Sequence, residues 1–164
     1  MTRKPHTEST ARDDARADVA LRLERQLCFA LYSASSLFTR LYRPLLDPLG
    51  LTYPQYLVML VLWERAPRSV SEIGAALGLD SATLTPLLKR LESAGYVTRR
   101  RDAQDERRVL VEPTGQGAAL KESARDVQKE LLCRLPLPAS ELTALHETLG
   151  RLNRGLRGSG KTED

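Results

Sequence analysis

Apolar residues recur at helical spacing near the beginning of the chain. Over residues 19–43 and just beyond, apolar or small side chains occupy positions 23, 27, 30, 34, 37, 38, 41 and 45. Steps of three and four residues bring side chains onto one face of a helix, so this pattern predicts an amphipathic helix. Arg43-Pro44 ends or kinks it, because the residue before a proline disfavours the helical conformation.

A second helix is predicted over about residues 53–65. Thr52 and Gln55 have the spacing of a capping box, and Pro54 suits the first turn. The run LVMLVLW, residues 57–63, is apolar on every side of such a helix. A helix without a polar face is usually buried, so this one is expected at the centre of the fold.

Two shorter helices follow, separated by a glycine turn. The capping-box pattern SVSE, residues 69–72, opens a helix that reaches about Leu77, and Gly78 is a typical stop. Asp80 can cap the next helix, which covers about residues 81–94. Leucines at positions 84, 87, 88 and 91 give that helix one apolar face.

The pattern then changes from helix to strand. Residues 96–101 and 108–112 are predicted strands, and the polar loop 102–106 joins them into a β-hairpin with a charged tip. A long helix over about 115–134 and a last amphipathic helix over about 139–155 follow. The predicted fold class is therefore mainly α with a small β-hairpin, and the lack of a βαβ unit argues against a doubly wound sheet.

Length and composition indicate one globular domain. The chain has 164 residues, of which 41% are hydrophobic, and we assign the domain to residues 19–155. Residues 1–18 are charged and nearly without apolar side chains, so a disordered tail is predicted there, and a flexible tail over 156–164. No signal-peptide pattern and no membrane-length apolar run occur, so a cytoplasmic protein without a membrane partner is expected.

Net charge favours a polyanionic partner only weakly. The chain carries +4 at pH 7 with a sequence pI near 9.3. Over residues 69–113, seven Lys or Arg residues face seven Asp or Glu residues, and only the segment 99–108 is locally basic, with five arginines and three acids. The order and spacing of the predicted helices and strands are therefore stronger evidence for function than the net charge.

The helix pair over about residues 70–94 has the spacing of a helix-turn-helix. In that motif the second helix enters the major groove of DNA, and polar residues near its N-terminus meet base edges. The candidate base or phosphate contacts are Ser81, Thr83 and Thr85, with Lys89 and Arg90 further along for phosphates. The alternative is an ordinary helical hairpin packed in a core.

A β-hairpin directly after such a helix pair predicts a wing. Arg107 at its tip can enter a narrow minor groove, where the negative potential attracts arginine. Asp105 is expected to orient the Arg107 guanidinium through a bidentate pair. The alternative is a solvated charged hairpin with no partner.

These elements resemble the winged helix-turn-helix of MarR-type transcriptional regulators. The resemblance covers about residues 20–155, with the winged helix over about 53–113, and includes SEIG at 71–74 and DER at 105–107. Three stretches are similar, more specifically, to the organic-hydroperoxide-sensing OhrR-type branch: LCFALYSAS, YRPLLDPLGLTYPQYLVMLVLWE and LDSATLTPLLKRLE.

The resemblance implies a homodimer that binds a near-palindromic double-stranded operator. Its interface would be built from helices over about residues 19–46 and 115–155. The family's peroxide-reactive cysteine matches Cys28, and the second cysteine of its two-cysteine members matches Cys133. The family's supporting tyrosines match Tyr42 and Tyr53, which would reach the cysteine across the interface, and Tyr32, which acts in the oxidised form.

The proposed chemistry explains why phenols would be needed. Hydroperoxides react with a thiolate, and an unperturbed cysteine thiol is only about 3% ionised at neutral pH. One hydrogen bond to a charged group contributes about 1.5–3 kcal/mol, so two phenol donors would suffice to stabilise the thiolate. Burial of Cys28 among Leu27, Phe29 and Leu31 would oppose this, and a mid-helix position would give it no help from the helix dipole.

Three functions compete at this point. The first is a repressor that binds DNA when reduced and is released when organic hydroperoxide oxidises Cys28, with Cys133 available for a disulfide within or between subunits. The second is a MarR-type regulator of a non-covalent small ligand, with Cys28 only structural. The third, a thiol peroxidase, lacks the expected βαβ pattern, and no enzymatic activity is predicted.

No metal or other cofactor is expected. The two cysteines are far apart in sequence, no CxxC motif occurs, and the only histidines are His6 and His146. A zinc or iron–sulfur site within one chain needs a denser set of ligands.

Overall fold

A computed structural model describes residues 21–159 of the chain. The tail predicted over residues 1–18, and positions 160–164 of the tail predicted at the other end, lie outside the described residues. Within residues 21–159 the chain forms six α-helices and a three-stranded antiparallel sheet. The predicted fold class, mainly α with a small β-hairpin, is confirmed.

The first helix begins and ends later than predicted. A 3₁₀ turn over Leu23–Arg25 precedes α1 (Leu27–Leu46), and Gln26 between them has an extended backbone. Leu23 and Leu27 are exposed in the chain, so no packing favours a longer helix here. Pro44 lies in the last turn of α1. Its missing N–H removes one helical hydrogen bond, but residues 45 and 46 remain helical.

The second helix, α2 (Tyr53–Glu64), is the centre of the core, as predicted. The capping box is confirmed, because Gln55 Oε1 accepts a hydrogen bond from the Thr52 backbone N–H at 2.8 Å. Val58, Met59 and Leu62 are buried. Leu60 is an exception to the predicted all-round burial, since it is 41% exposed in the single chain.

The helix-turn-helix consists of α3 (Val70–Leu77) and α4 (Ser81–Ser93). Ser69 caps α3 and Asp80 caps α4, as the sequence predicted. Gly78 adopts the left-handed conformation, with φ of 67°, which ends α3 and lets the chain turn into the next helix. Leu84, Leu88 and Leu91 hold α4 against the core.

The sheet contains one strand that the sequence did not predict. The order is β1 (Arg68–Ser69), β3 (Val109–Pro113), β2 (Val97–Arg101), and all neighbours are antiparallel. The β2–β3 hairpin is the predicted wing, whereas no strand was predicted between α2 and α3. A strand of two residues is too short to show the alternation of apolar and polar side chains that predicts a strand. β1 is defined by the pairing of Arg68 and Ser69 with Val111 and Leu110.

The last two helices are α5 (Gly115–Arg134) and α6 (Ala139–Ser159). Residues 156–159, predicted as part of a flexible tail, continue α6, because glycine lowers helix propensity without removing a hydrogen-bond donor. The chain divides into two compact units, Met1–Gln128 and Lys129–Asp164, and the division falls inside α5.

No single helix among residues 21–159 combines the length and the apolar composition needed to cross a membrane. Only Leu27–Leu49 and Tyr53–Glu64 taken together meet those criteria, and a bend of 70° separates them.

Candidate functional site

The recognition-helix candidates lie together on the exposed side of α4. Ser81, Thr83 and Thr85 are exposed in its first two turns, and Lys89 and Arg90 are exposed further along. The leucines on the opposite side are buried, so packing fixes which face of α4 points outwards.

Two hydrogen bonds fix the first turn of α4. Asp80 Oδ1 accepts from the Thr83 backbone N–H at 2.7 Å, and the Thr85 hydroxyl donates to the Ser81 carbonyl at 2.6 Å. Hydrogen bonding from Thr83 lowers the pKa of Asp80, so this cap is ionised at neutral pH. The Thr85 hydroxyl can still accept a hydrogen bond from a DNA group.

The wing presents Arg107 at its tip, with a side chain that is 92% exposed. Asp105 contacts it, but not through the bidentate pair that the sequence predicted. Asp105 Oδ1 alone accepts from the Arg107 backbone N–H at 3.1 Å and from Arg107 Nε at 3.2 Å. The tight turn brings the backbone N–H of Arg107 to the same carboxylate, so one oxygen serves both donors.

Sequence reasoning missed the acids that hold the other wing arginines. Glu92 in α4 accepts from Arg99 Nε at 2.8 Å, and hydrogen bonding from Arg99 lowers the pKa of Glu92. Glu72 in α3 lies 3.7 Å from Arg108 Nη2. The equal counts of acids and bases over residues 69–113 do not show that most of these acids serve as helix caps or pair with arginines. Within residues 21–159, Lys89 and Arg90 make no ion pair.

A cleft of about 380 Å³ lies between α4 and the wing. It is bordered by hydroxyl and guanidinium groups from both elements and from the start of α3. The polar lining residues are Ser69, Ser71, Ser81, Thr85, Arg99, Arg107 and Arg108. Hydroxyl, guanidinium and ammonium groups are the donors that phosphates and base edges accept from, so this face suits DNA.

Cys28 lies in the first turn of α1, not in the middle of a helix as predicted. The extended backbone at Gln26 makes the difference, because it starts α1 one residue before the cysteine. The sulfur therefore lies near the end of α1 whose first backbone N–H groups have no partner within the helix. The thiol is free and exposed.

The surroundings of Cys28 are also more open than predicted. Leu27 is 65% exposed, and Phe29 and Leu31 are each 36% exposed, so the single chain does not bury the thiol. Further along α1, Tyr32 and Leu37 are exposed as well. The chain therefore leaves large apolar side chains exposed on several sides of α1 near Cys28. We call this set of residues, spread along the helix, the α1 strip: Leu27, Phe29, Leu31, Tyr32 and Leu37.

The structure brings Tyr42 and Tyr53 together, but not next to Cys28 of the same chain. Their ring centroids are 4.7 Å apart, and Tyr56 packs on Tyr42 at 5.6 Å. Tyr42 lies fourteen residues after Cys28 on α1, which corresponds to about 21 Å along the helix. The predicted contact between these phenols and a Cys28 sulfur therefore requires a second subunit.

The tyrosine cluster consists of neutral phenols. Burial raises the pKa of Tyr42, Tyr53 and Tyr56, and the neighbouring tyrosines raise that of Tyr42 further. The Tyr42 hydroxyl has one long hydrogen bond, at 3.5 Å to Gln128 Oε1. Neutral hydroxyls with weak existing partners can donate to an anion. Tyr56 and Trp63 are both buried, and their rings pack edge to face.

Cys133 belongs to the second unit. It lies in the last turn of α5 and is a free, exposed thiol. Its neighbours Leu132 and Leu137 are exposed too.

Comparison with known proteins matches this arrangement. A family model described as transcriptional regulator SarA/Rot matches residues 40–124. The organic hydroperoxide resistance transcriptional regulator of Bacillus subtilis is 52% identical over 112 residues, which cover 68% of this chain and 76% of that protein.

Solved structures show the same fold. Reduced AbfR bound to DNA has a TM-score of 0.72 at 38% identity, covering 85% of this chain and 98% of that one. AbfR, from Staphylococcus epidermidis, is also known in a disulfide form, with a TM-score of 0.59 at 36% identity and coverage of 88% and 98%. Wild-type MarR from Escherichia coli has a TM-score of 0.61 at 29% identity, covering 77% and 96%.

The exposed polar face of α4, the wing and the matched relatives agree on a DNA-binding transcriptional regulator. The chain belongs to the MarR family of winged helix-turn-helix regulators, in the branch of the organic hydroperoxide resistance regulators.

Proposed function

We propose that this regulator is a dimeric thiol-based repressor. It binds a near-palindromic operator when Cys28 is reduced and leaves it when organic hydroperoxide oxidises Cys28. The observation that carries the proposal is the position of Cys28: an exposed thiol in the first turn of α1, beside large apolar side chains that the chain leaves exposed.

In the DNA-bound state, α4 enters the major groove and the wing reaches the adjacent minor groove. Ser81, Thr83 and Thr85 meet base edges or phosphates, and Lys89 and Arg90 contact phosphates. Arg107, oriented by Asp105, enters the minor groove. Each half-site is read by one subunit, so a twofold dimer requires a near-palindromic sequence.

Dimerisation completes the sensor. The helices over about residues 19–46 and 115–155 form the interface, which covers the α1 strip. Tyr42 and Tyr53 of one subunit then donate hydrogen bonds to the Cys28 thiolate of the other. Their raised pKa values support this role, because a phenol must be protonated to donate. Tyr32, one turn after Cys28, contacts the sulfur after oxidation.

The sensing reaction is a two-electron oxidation of sulfur. The Cys28 thiolate attacks the terminal oxygen of the hydroperoxide, a sulfur–oxygen bond forms, and the oxygen–oxygen bond breaks. The alkoxide that leaves takes one proton and becomes an alcohol. The resulting sulfenic acid condenses with the Cys133 thiol, releasing water and forming a disulfide. The disulfide form of the similar protein AbfR supports this last step.

The direct test is DNA binding by purified protein before and after oxidation. A duplex is first selected from a randomised pool by the reduced, unmodified chain. Addition of tert-butyl hydroperoxide should then lower the affinity of the protein for this duplex at least about tenfold. Helix movement at the dimer interface would change the spacing of the two winged helices. Cys28→Ser should bind the duplex equally well and ignore the peroxide. Release of Cys28→Ser by peroxide would remove Cys28 as the sensor.

A second candidate, response to a non-covalent ligand, is favoured by one groove. A space of about 320 Å³ lies between α2 and α5, with aromatic and apolar walls. Its lining includes Tyr56, Leu60, Trp63 and Ala124. The two candidates differ in one result: a non-covalent ligand would release Cys28→Ser from DNA as readily as the parent chain.

A further inference from the structure

Glu72 joins the first turn of α3 to the wing. Its Oε2 accepts hydrogen bonds from the Ser69 backbone N–H and from the Ser69 hydroxyl, each at 2.7 Å. The same oxygen lies 3.7 Å from Arg108 Nη2. One carboxylate therefore caps a helix of the helix-turn-helix and pairs with an arginine that belongs to the wing.

Arg108 in turn holds the base of the wing loop. Its Nη1 lies 3.8 Å from Asp102 Oδ2, and its backbone carbonyl accepts from the Asp102 N–H at 2.9 Å. The side chain of Arg108 is 48% exposed, whereas that of its neighbour Arg107 is 92% exposed. Of the two consecutive arginines, Arg108 is half-exposed and lies beside two acids from outside its own turn, whereas Arg107 pairs with Asp105 in its own turn and extends into solvent.

We infer that Glu72 is a positioning residue for DNA binding, which acts through Arg108 to hold the wing in place relative to the helix-turn-helix. The inference rests on the proposed function, in which the wing contacts DNA. Arg108 then serves as the internal anchor, and Arg107 remains available for the minor groove. Glu72 itself carries a negative charge and has no favourable contact to make with DNA.

The direction of the change in DNA affinity distinguishes a positioning role of Glu72 from an effect of net charge. Replacing Glu72 by glutamine removes one negative charge, which by itself strengthens attraction to phosphates. A loss of affinity in this variant therefore cannot come from net charge. The amide oxygen of glutamine can still accept from the Ser69 N–H, so the helix cap is retained.

The test compares Glu72→Gln with Glu64→Gln in the full reduced chain. Glu64 is an exposed residue at the end of α2 that pairs with Arg68, and it lies outside both the wing and the helices of the proposed dimer interface, so its replacement makes the same change of charge elsewhere. On the duplex selected by the unmodified chain, Glu72→Gln should bind about fivefold more weakly, the size expected for loss of a half-exposed ion pair at a positioning site. Glu64→Gln should bind unchanged or slightly more tightly, and both should keep the parental unfolding midpoint.

Arg108→Gln and the double variant Glu72→Gln with Arg108→Gln complete the test. If Glu72 acts through Arg108, the double variant loses no more affinity than Arg108→Gln alone. Binding by the unmodified chain tests the proposed function on its own, and the ratio of variant to parent tests this inference. Tighter binding by Glu72→Gln, or single losses that multiply in the double variant, would overturn it, because Arg108 would then be a direct phosphate contact.

Discussion

Tyr42 is the residue whose environment bears most directly on the chemistry. It is buried and packed against Tyr53 and Tyr56, and within residues 21–159 its hydroxyl makes one long hydrogen bond. We expect Tyr42→Phe to slow the reaction of Cys28 with tert-butyl hydroperoxide at least about tenfold, the value of one hydrogen bond to a charged group. Stopped-flow measurement of thiol loss checks this.

Tyr56→Phe is the matched control for Tyr42→Phe. Tyr56 has the same side chain, is also buried and belongs to the same ring cluster, but the proposal gives it no contact with sulfur. Its rate should equal that of the parent. Equal slowing by both variants would mean that the cluster acts through packing and not through a donated hydrogen bond.

The same three tyrosines predict a loss of stability at high pH. Burial raises the pKa of Tyr42, Tyr53 and Tyr56 in the folded chain, so the unfolded chain ionises first. Their contribution is complete below about pH 10, the ordinary tyrosine pKa, and is lost as the pH rises above it. Urea unfolding at increasing pH should show this decrease, and Tyr42→Phe should make it shallower. An equal decrease in parent and variant would contradict the assignment.

The sequence predicted the roles of some single residues but not of others. The caps Thr52, Ser69 and Asp80 were predicted correctly, because their partners lie three residues away. The first-turn position of Cys28 and the pairing of Glu72 with Arg108 were not predicted. The former depends on where packing allows α1 to begin, and the latter joins residues that are distant in sequence.

At the scale of elements, α5 approaches the sheet through a glycine. A Cβ added to Gly117 would lie 1.9 Å from the Tyr96 carbonyl oxygen, and the Gly117 carbonyl accepts from Trp63 Nε1 at 2.9 Å. The Tyr96 carbonyl belongs to the main chain, and the backbone fixes the position of a Cβ at residue 117. No side-chain rotation therefore relieves this clash. Gly117→Ala should therefore lower the free energy of unfolding by about 1–3 kcal/mol or more.

Gly115→Ala is the control for this contact. It lies in the same turn of α5, and nothing lies within 4 Å of its added Cβ. Alanine there should leave stability unchanged or raise it by up to about 1 kcal/mol, since alanine favours helix over glycine. Urea unfolding measures the stability of both variants. Equal stabilities would show that α5 does not approach the Tyr96 backbone, just before β2, so closely.

The elements were predictable where their signals are local. Capping boxes and glycine stops located α2, α3 and α4 within one residue of their ends. The strand β1 was missed because it depends on pairing with β3 more than forty residues later. The helices around Pro44 and in the segment after Gly155 continue further than local propensity indicates, which shows how weakly single residues constrain a helix end.

At the scale of the whole molecule, the α1 strip predicts self-association. Several large apolar side chains on one helix are exposed in the single chain, and such exposed apolar surface often marks an interface. We expect Leu27→Gln with Leu37→Gln to convert the dimer to a monomer in sedimentation velocity. Exposed Leu21→Gln, outside the strip, is the control. A parent chain that is monomeric at micromolar concentration would contradict the proposed interface.

The sequence predicted apolar positions of α1, among them 27 and 37, but not that the single chain leaves these two exposed. Periodicity shows which residues share a face, and it does not show whether that face is covered by the same chain or by another. The resemblance to a dimeric family supplied the second part, and the exposure of Leu27, Tyr32 and Leu37 now supports it.

The central claim is that oxidation of the Cys28 sulfur is the event that releases DNA. It is tested most directly by following both in one sample: fluorescence anisotropy of the bound duplex, and the redox state of each cysteine by mass spectrometry of quenched aliquots. After addition of substoichiometric tert-butyl hydroperoxide, we predict that loss of reduced Cys28 precedes or matches DNA release at every time point, and that both stop together when the peroxide is consumed. Release of DNA while Cys28 remains reduced would contradict the account.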